Sequence, residues 1–215
     1  MVTEVTDTAN VTQVHQPPAS VRTRLVDATF AALREQGLAG VTLRGVARRA
    51  GVSHAAPLKH YAGFGDLLTE AAAAGFERLG DRVDEAGASL PPGAGSRARL
   101  TAAGRAYIEL AVEEPALFAL MFRFDLLNPS NRRYAAVSTS VYQQFLRYVR
   151  AVQDDGWYTD APTEVVNATV WSLVHGLATL WAGGALPASL AGMASLDDVV
   201  DQSLAMVLRP RPQPT

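Results

Sequence analysis

The chain has 215 residues, of which 48% are apolar and 19% charged; it is long enough to bury a core, and that composition excludes a disordered or charge-dominated polymer. It contains no cysteine, which removes disulfides, thiolate metal sites and cysteine nucleophiles together. The formal charge of −2 argues against indiscriminate coating of nucleic acid, but it hides an asymmetry. Residues 21–60 hold seven basic side chains (Arg22, Arg24, Arg34, Arg44, Arg48, Arg49, Lys59) and two acids (Asp27, Glu35), a net of +5 that leaves −7 for the remainder. A basic footprint confined to one short segment is the electrostatic mark of a module that meets DNA.

In chain order, residues 1–19 lack both a basic n-region and an apolar stretch, so they are expected to form a flexible tail and not a signal peptide; a cytoplasmic location is the default expectation. Strand signals are scarce, and apolar residues recur at spacings of three and four, which predicts an all-α chain. The first helix opens with Ser20 as N-cap, carries Val21, Leu25, Ala28 and Ala32 on one face and ends at Gly37. A second, short helix is capped by Thr42, turns Leu43, Val46, Ala47 and Ala50 inward and stops at Gly51. Ser53 is expected to cap a third that runs to about Tyr61. Helix, tight glycine turn, helix is the helix-turn-helix arrangement.

A longer helix is expected from Gly65 to the break at Leu90-Pro91-Pro92-Gly93, followed by helices near 96–113, 115–123, 131–154, 163–182 and 196–208. Residues 209–215 (Arg-Pro-Arg-Pro-Gln-Pro-Thr) hold three prolines and are read as a second flexible tail. The run Val165 to Leu196 contains no Asp, Glu, Lys or Arg, which raises a membrane span. Asn167, His175, Gly176, Gly183, Gly184 and Pro187 interrupt it and no basic cluster flanks it, so a helix buried in a protein interface is expected and no membrane.

From Val21 to Leu68 the chain resembles the DNA-binding domain of the tetracycline-repressor (TetR) family. The resemblance rests on Gly37, on Thr42-Leu43, on Val46-Ala47 followed by Ala50-Gly51-Val52-Ser53, and on Lys59-His60-Tyr61. Ser53-His54-Ala55-Ala56-Pro57 together with Trp171, His175 and Gly176 looks like the branch whose ligand domain is named after Trp, His and Gly. The resemblance implies a three-helix DNA-binding domain over 20–67 and a larger helical domain over 68–208 for ligand binding and dimerisation. Two positions depart from it: Leu58 stands where the family usually has tyrosine, and Phe64 where it usually has a basic residue. Both missing groups normally touch phosphate, so nonspecific affinity and its salt dependence are expected to fall.

In a helix-turn-helix the N-terminal residues of the recognition helix meet base edges, which makes His54, Ala55 and Ala56 the expected readers, with Leu58, Lys59, His60 and Tyr61 toward the backbone. Thr42 and Ser53 leave hydroxyls and free N–H groups at helix starts, which suit phosphate, although capping alone explains both. Arg44, Arg48 and Arg49 lie on the polar side of the second helix, reaching either backbone or solvent, and the family pattern puts Arg22 and Arg24 near phosphate or the minor groove. The partner implied is a palindromic double-stranded operator.

The resemblance further implies a small-molecule cavity within residues 96–182, and Tyr107, Phe118, Phe122, Tyr142, Phe145, Trp171 and His175 are its candidate lining. His175, alone on an apolar helix, reads more readily as a hydrogen-bonded core residue than as a ligand contact or switch. The uncharged helix after Thr163 and the final stripe of Leu196, Val199, Val200, Leu204, Val207 and Leu208 are expected to form a four-helix homodimer interface. No HExxH, nucleophile elbow or phosphate loop occurs, and His54 and His60 do not share a helical face, so neither an enzyme nor a metal or cofactor site is expected. The competing reading is a helical small-molecule-binding or interaction protein that has lost DNA recognition.

Overall fold

Ser20 starts the fold by accepting the Thr23 N–H on its hydroxyl at 3.1 Å, and helix α1 (Val21–Gly40) follows, in a computed structural model that describes residues 20–190 and 195–208. Both expected tails, 1–19 and 209–215, lie outside the described residues. Gly37 breaks α1 internally: its φ of +66° and ψ of 173° belong to glycine, and the chain makes one more turn before Val41 extends. Helix α2 (Leu43–Arg49) is capped by Thr42, whose hydroxyl accepts the Gly45 N–H at 3.1 Å; Gly51, with φ +66°, ends the segment.

Helix α3 (Ala56–His60) corrects one expectation. Ser53 does not cap it, and the helix begins three residues later. A helix capped at Ser53 would close its first bond between the N–H of residue 57 and the Ser53 carbonyl, but residue 57 is proline and has no N–H. Ala56 donates to that carbonyl instead, at 2.9 Å, as a turn, and Pro57 takes the second helical position, where its missing donor costs nothing.

The long helix α4 (Phe64–Ala88) starts one residue before Gly65 and runs without a break from this N-terminal cluster into the rest of the molecule. Leu67 and Leu68 are buried on the part of α4 nearest α1, while Phe76, Leu79 and Val83 face a bundle built from α5 (Ser96–Glu113), α7 (Arg132–Asp154) and α8 (Thr163–Ala182). One continuous apolar core extends from Leu25 to Leu204. Between α5 and α7, the short α6 (Pro115–Met121) wedges against both α1 and α4. It comes close because Gly75 has no side chain: a Cβ there would sit 2.9 Å from Met121 Sδ and 3.1 Å from Leu117 Cδ1.

Two further helices close the chain, α9 (Ala185–Ser189) and α10 (Leu196–Val207). Ser195 and Asp198 form a reciprocal capping box at the start of α10. Its expected stripe is divided: Val200, Leu204 and Leu208 are buried in the chain's own core, with Leu204 against Gly104 of α5, while Leu196, Val199 and Val207 are half-buried and Met206 is exposed. By length and composition α8 is apolar enough to cross a membrane, yet Val166, Val170, Val174 and Ala178 pack it into the bundle. Its other side exposes Val165, Trp171 and Leu180.

Candidate DNA-binding face and ligand cavity

Helices α2 and α3 are held to α1 by two arginines. Arg22 donates to the His60 carbonyl at 3.2 Å and lies 4.9 Å over the Tyr61 ring, and the Tyr61 hydroxyl returns a bond to the Arg22 carbonyl at 3.4 Å. Arg24 donates to the Ala50 carbonyl at 3.3 Å. Each guanidinium therefore neutralises the carbonyl end of a short helix, where a cation is favoured. Tyr61 is buried at 6% exposure, so its ring is part of the domain's packing, and burial raises its hydroxyl pKa. Arg22 and Arg24 thus have intramolecular work at the carbonyl ends of α3 and α2.

What remains at the surface is compact. Thr42, Arg44, Ser53, His54, Ala55, Leu58 and Lys59 are exposed, and Ala56 and His60 half-buried. Leu58 is 59% exposed, an apolar group in a basic setting. Arg49 is tied to Glu35 by a bidentate pair, with one bond at 2.8 Å, whereas Arg44, Arg48 and Lys59 make no ion pair among the described residues. Cations without an internal partner are those free to meet phosphate.

The second site is a cavity of about 290 Å³ enclosed by α4, α5, α7 and α8. Five of the seven candidates line it: Tyr107, Phe122, Tyr142, Phe145 and Trp171. Phe118 and His175 do not line it. Phe118, 4% exposed, sits behind the wall with its ring 5.3 Å from Tyr107 and 5.2 Å from Phe122. His175 Nδ1 and the Tyr107 hydroxyl share a hydrogen bond at 2.7 Å, and the same hydroxyl receives the Trp171 Nε1–H at 3.0 Å. Burial pushes the His175 imidazolium down and the Tyr107 hydroxyl up, so both are neutral near neutral pH. The histidine is thus a hydrogen-bonded support for the aromatic wall.

Sequence reasoning missed Asn167, Phe76, Tyr134, Ser138 and Val170 in the lining. Phe76 carried a signal, lying on the inward face of α4, but nothing in one sequence indicates which of many inward residues border a void. None of the lining residues is charged.

The two sites share α6. Glu114, at its start, accepts from Arg34 of α1 at 2.9 Å and pairs with Arg78 of α4 at 3.5 Å, and Arg78 in turn covers the Phe30 ring at 3.9 Å. At its other end Phe122 faces the cavity.

Residues 100–207 match the family model described as tetracyclin repressor-like, C-terminal domain. The chain belongs to the tetracycline-repressor-like family. Solved structures agree with this fold. A protein of unknown function from Rhodococcus sp. RHA1 superposes with a TM-score of 0.76 at 29% identity, over 92% of this chain and 97% of that one. The fatty acid degradation regulator FadR from Bacillus halodurans gives 0.68 at 12% identity, over 91% and 100%. A transcriptional regulator from Rhodococcus sp. RHA1 gives 0.65 at 24%, over 88% and 96%. No curated protein matches the sequence. As a member of the tetracycline-repressor-like family, the chain is a ligand-responsive DNA-binding transcriptional regulator, all-helical, with an N-terminal helix-turn-helix and a C-terminal ligand domain. The family accounts for both halves of the geometry, a basic face on α2 and α3 and an apolar cavity reached from it through α6.

Proposed function

We propose that this regulator is a cytoplasmic homodimeric repressor that holds a palindromic operator, and that a small hydrophobic or amphipathic molecule in the α4–α8 cavity releases it. The observation that carries this reading is the span of α6, which pairs with α1 through Glu114 and Arg34 at one end and reaches the cavity through Phe122 at the other. A ligand pressing on Phe122 moves an element that also touches the DNA-binding helices. In this reading residues 20–67 read DNA: His54, Ala55 and Ala56 at base edges, and Thr42, Arg44, Ser53 and Lys59 at phosphate. Arg22, His60 and Tyr61 set the position of α3, and Arg24 that of α2. Residues 68–208 bind ligand and pair the subunits.

A ligand releases DNA only by preferring a dimer geometry that no longer fits successive major grooves, and near-complete release requires about 5.5 kcal/mol of preference. The coupling is reciprocal. An operator selected from a random duplex pool, followed by titration of the ligand with and without it, tests this: the operator should weaken ligand binding by the factor by which ligand weakens operator binding. Equal ligand affinities in the two titrations would overturn the repressor reading. The exposed Leu58 favours one alternative, a small-molecule-binding protein without DNA recognition, and failure of the pool to yield any enriched sequence would establish it.

A further inference from the structure

The cavity wall contains five hydrogen-bonding side chains beyond the Tyr107–Trp171 pair, and four of them are satisfied. Tyr134 donates to the Met121 carbonyl at 3.1 Å and Ser138 to the Tyr134 carbonyl at 2.7 Å. Thr139 and Tyr142 stand at the exposed rim, where water serves them. The fifth is Asn167. It is 3% exposed and lines the cavity, and its carboxamide makes no hydrogen bond to any described residue. The amide is not sealed off in the core: it opens on the cavity, where water or a bound molecule is the partner left to it.

We infer that the cavity takes an uncharged, mainly apolar molecule of two-ring size bearing one hydroxyl or carbonyl, that the Asn167 carboxamide holds this group, and that carboxylates are excluded. The inference deepens the proposed ligand-release reading, on which it rests. A two-ring molecule fits the volume: about 290 Å³ is roughly twice the ~150 Å³ of an apolar cavity that takes benzene. The charge limit follows from the wall, which has no Lys, Arg or charged His to repay the desolvation of an anion and no carboxylate to receive a cation. The polar group follows from Asn167, which presents a donor and an acceptor together and suits a hydroxyl on both counts.

Calorimetric titration of the full chain, without DNA, with 2-naphthol, naphthalene and 2-naphthoate near neutral pH tests each part. The expected result is 2-naphthol binding roughly tenfold or more tightly than either of the others, tenfold being about 1.4 kcal/mol. Asn167→Leu should bind 2-naphthol and naphthalene alike; if that variant fails to fold, Asn167→Ala carries the same expectation. Binding of 2-naphthoate as tight as that of 2-naphthol, an undiminished preference in the Asn167 variant, or no binding of any probe would each overturn the inference. A probe that binds as expected while the operator stays bound would overturn the release reading and leave the cavity assignment standing.

Discussion

At the scale of single residues, the Tyr107 hydroxyl has the most to lose. It joins Trp171 and His175 through two hydrogen bonds at 3% exposure, so Tyr107→Phe leaves an indole N–H and an imidazole nitrogen without their partner. We expect a loss of about 1–3 kcal/mol, toward the lower end because Trp171 is partly exposed and finds water, read as a lowered denaturation midpoint at unchanged m. An unchanged midpoint would mean the pair is served by water already. Tyr107, Phe122, Tyr142, Phe145 and Trp171 were legible as lining only through the family resemblance, since aromatics at helical spacing are by themselves more often core than pocket. Phe118 and His175 share that spacing but lie one layer deeper, and depth along a helix radius is not encoded in periodicity. Asn167 escaped notice for the opposite reason, since one polar residue in an uncharged run reads as an interruption of the run and not as the feature it was built around.

At the scale of elements, glycine, proline and capping residues made most boundaries legible. Helices α5 and α8 begin and end where Ser96, Glu113, Thr163 and Ala182 were expected to bound them. The start of α3 was misplaced because Ser53 is a good cap by type, while the residue that decided the matter, Pro57, lies four positions away. Helix α9 was missed because five residues close too few bonds to leave a period, and Gly183-Gly184 with Pro187 reads as a plain break. The α4–α6 crossing shows what no pattern reveals, a glycine whose absent side chain sets a distance. Gly75→Ala would drive a methyl into Met121 and Leu117. Because both contacts are the ends of flexible side chains, the expected cost is about 1 kcal/mol, at the low end for overpacking. The more telling readout is ligand-induced DNA release, which should change because α6 must shift to admit the methyl. Unaltered release with lowered stability would remove α6 from the path between the sites.

At the scale of the whole molecule, the family's dimer must use the surface that this fold leaves open. With Val200, Leu204 and Leu208 turned inward, the uncharged outer stripe of α8, Val165, Thr169, Ser172, Gly176 and Leu180, with Met206 of α10, is the apolar face we expect to meet a second copy. Gly176 has open space above it, so Gly176→Arg should leave the helical fold intact and halve the mass seen by light scattering; a dimer that survives would place the interface elsewhere. An obligate interface should bury upward of ~2,000 Å² in total. Trp171 stands one residue from that stripe, 43% exposed, while also lining the cavity. Pairing of subunits and occupation of the cavity therefore act on one indole, and by mass action neither equilibrium is independent of the other. The apparent ligand affinity should then vary with protein concentration across the dimer dissociation constant, and an affinity unchanged on dilution would show that this indole does not link the two equilibria.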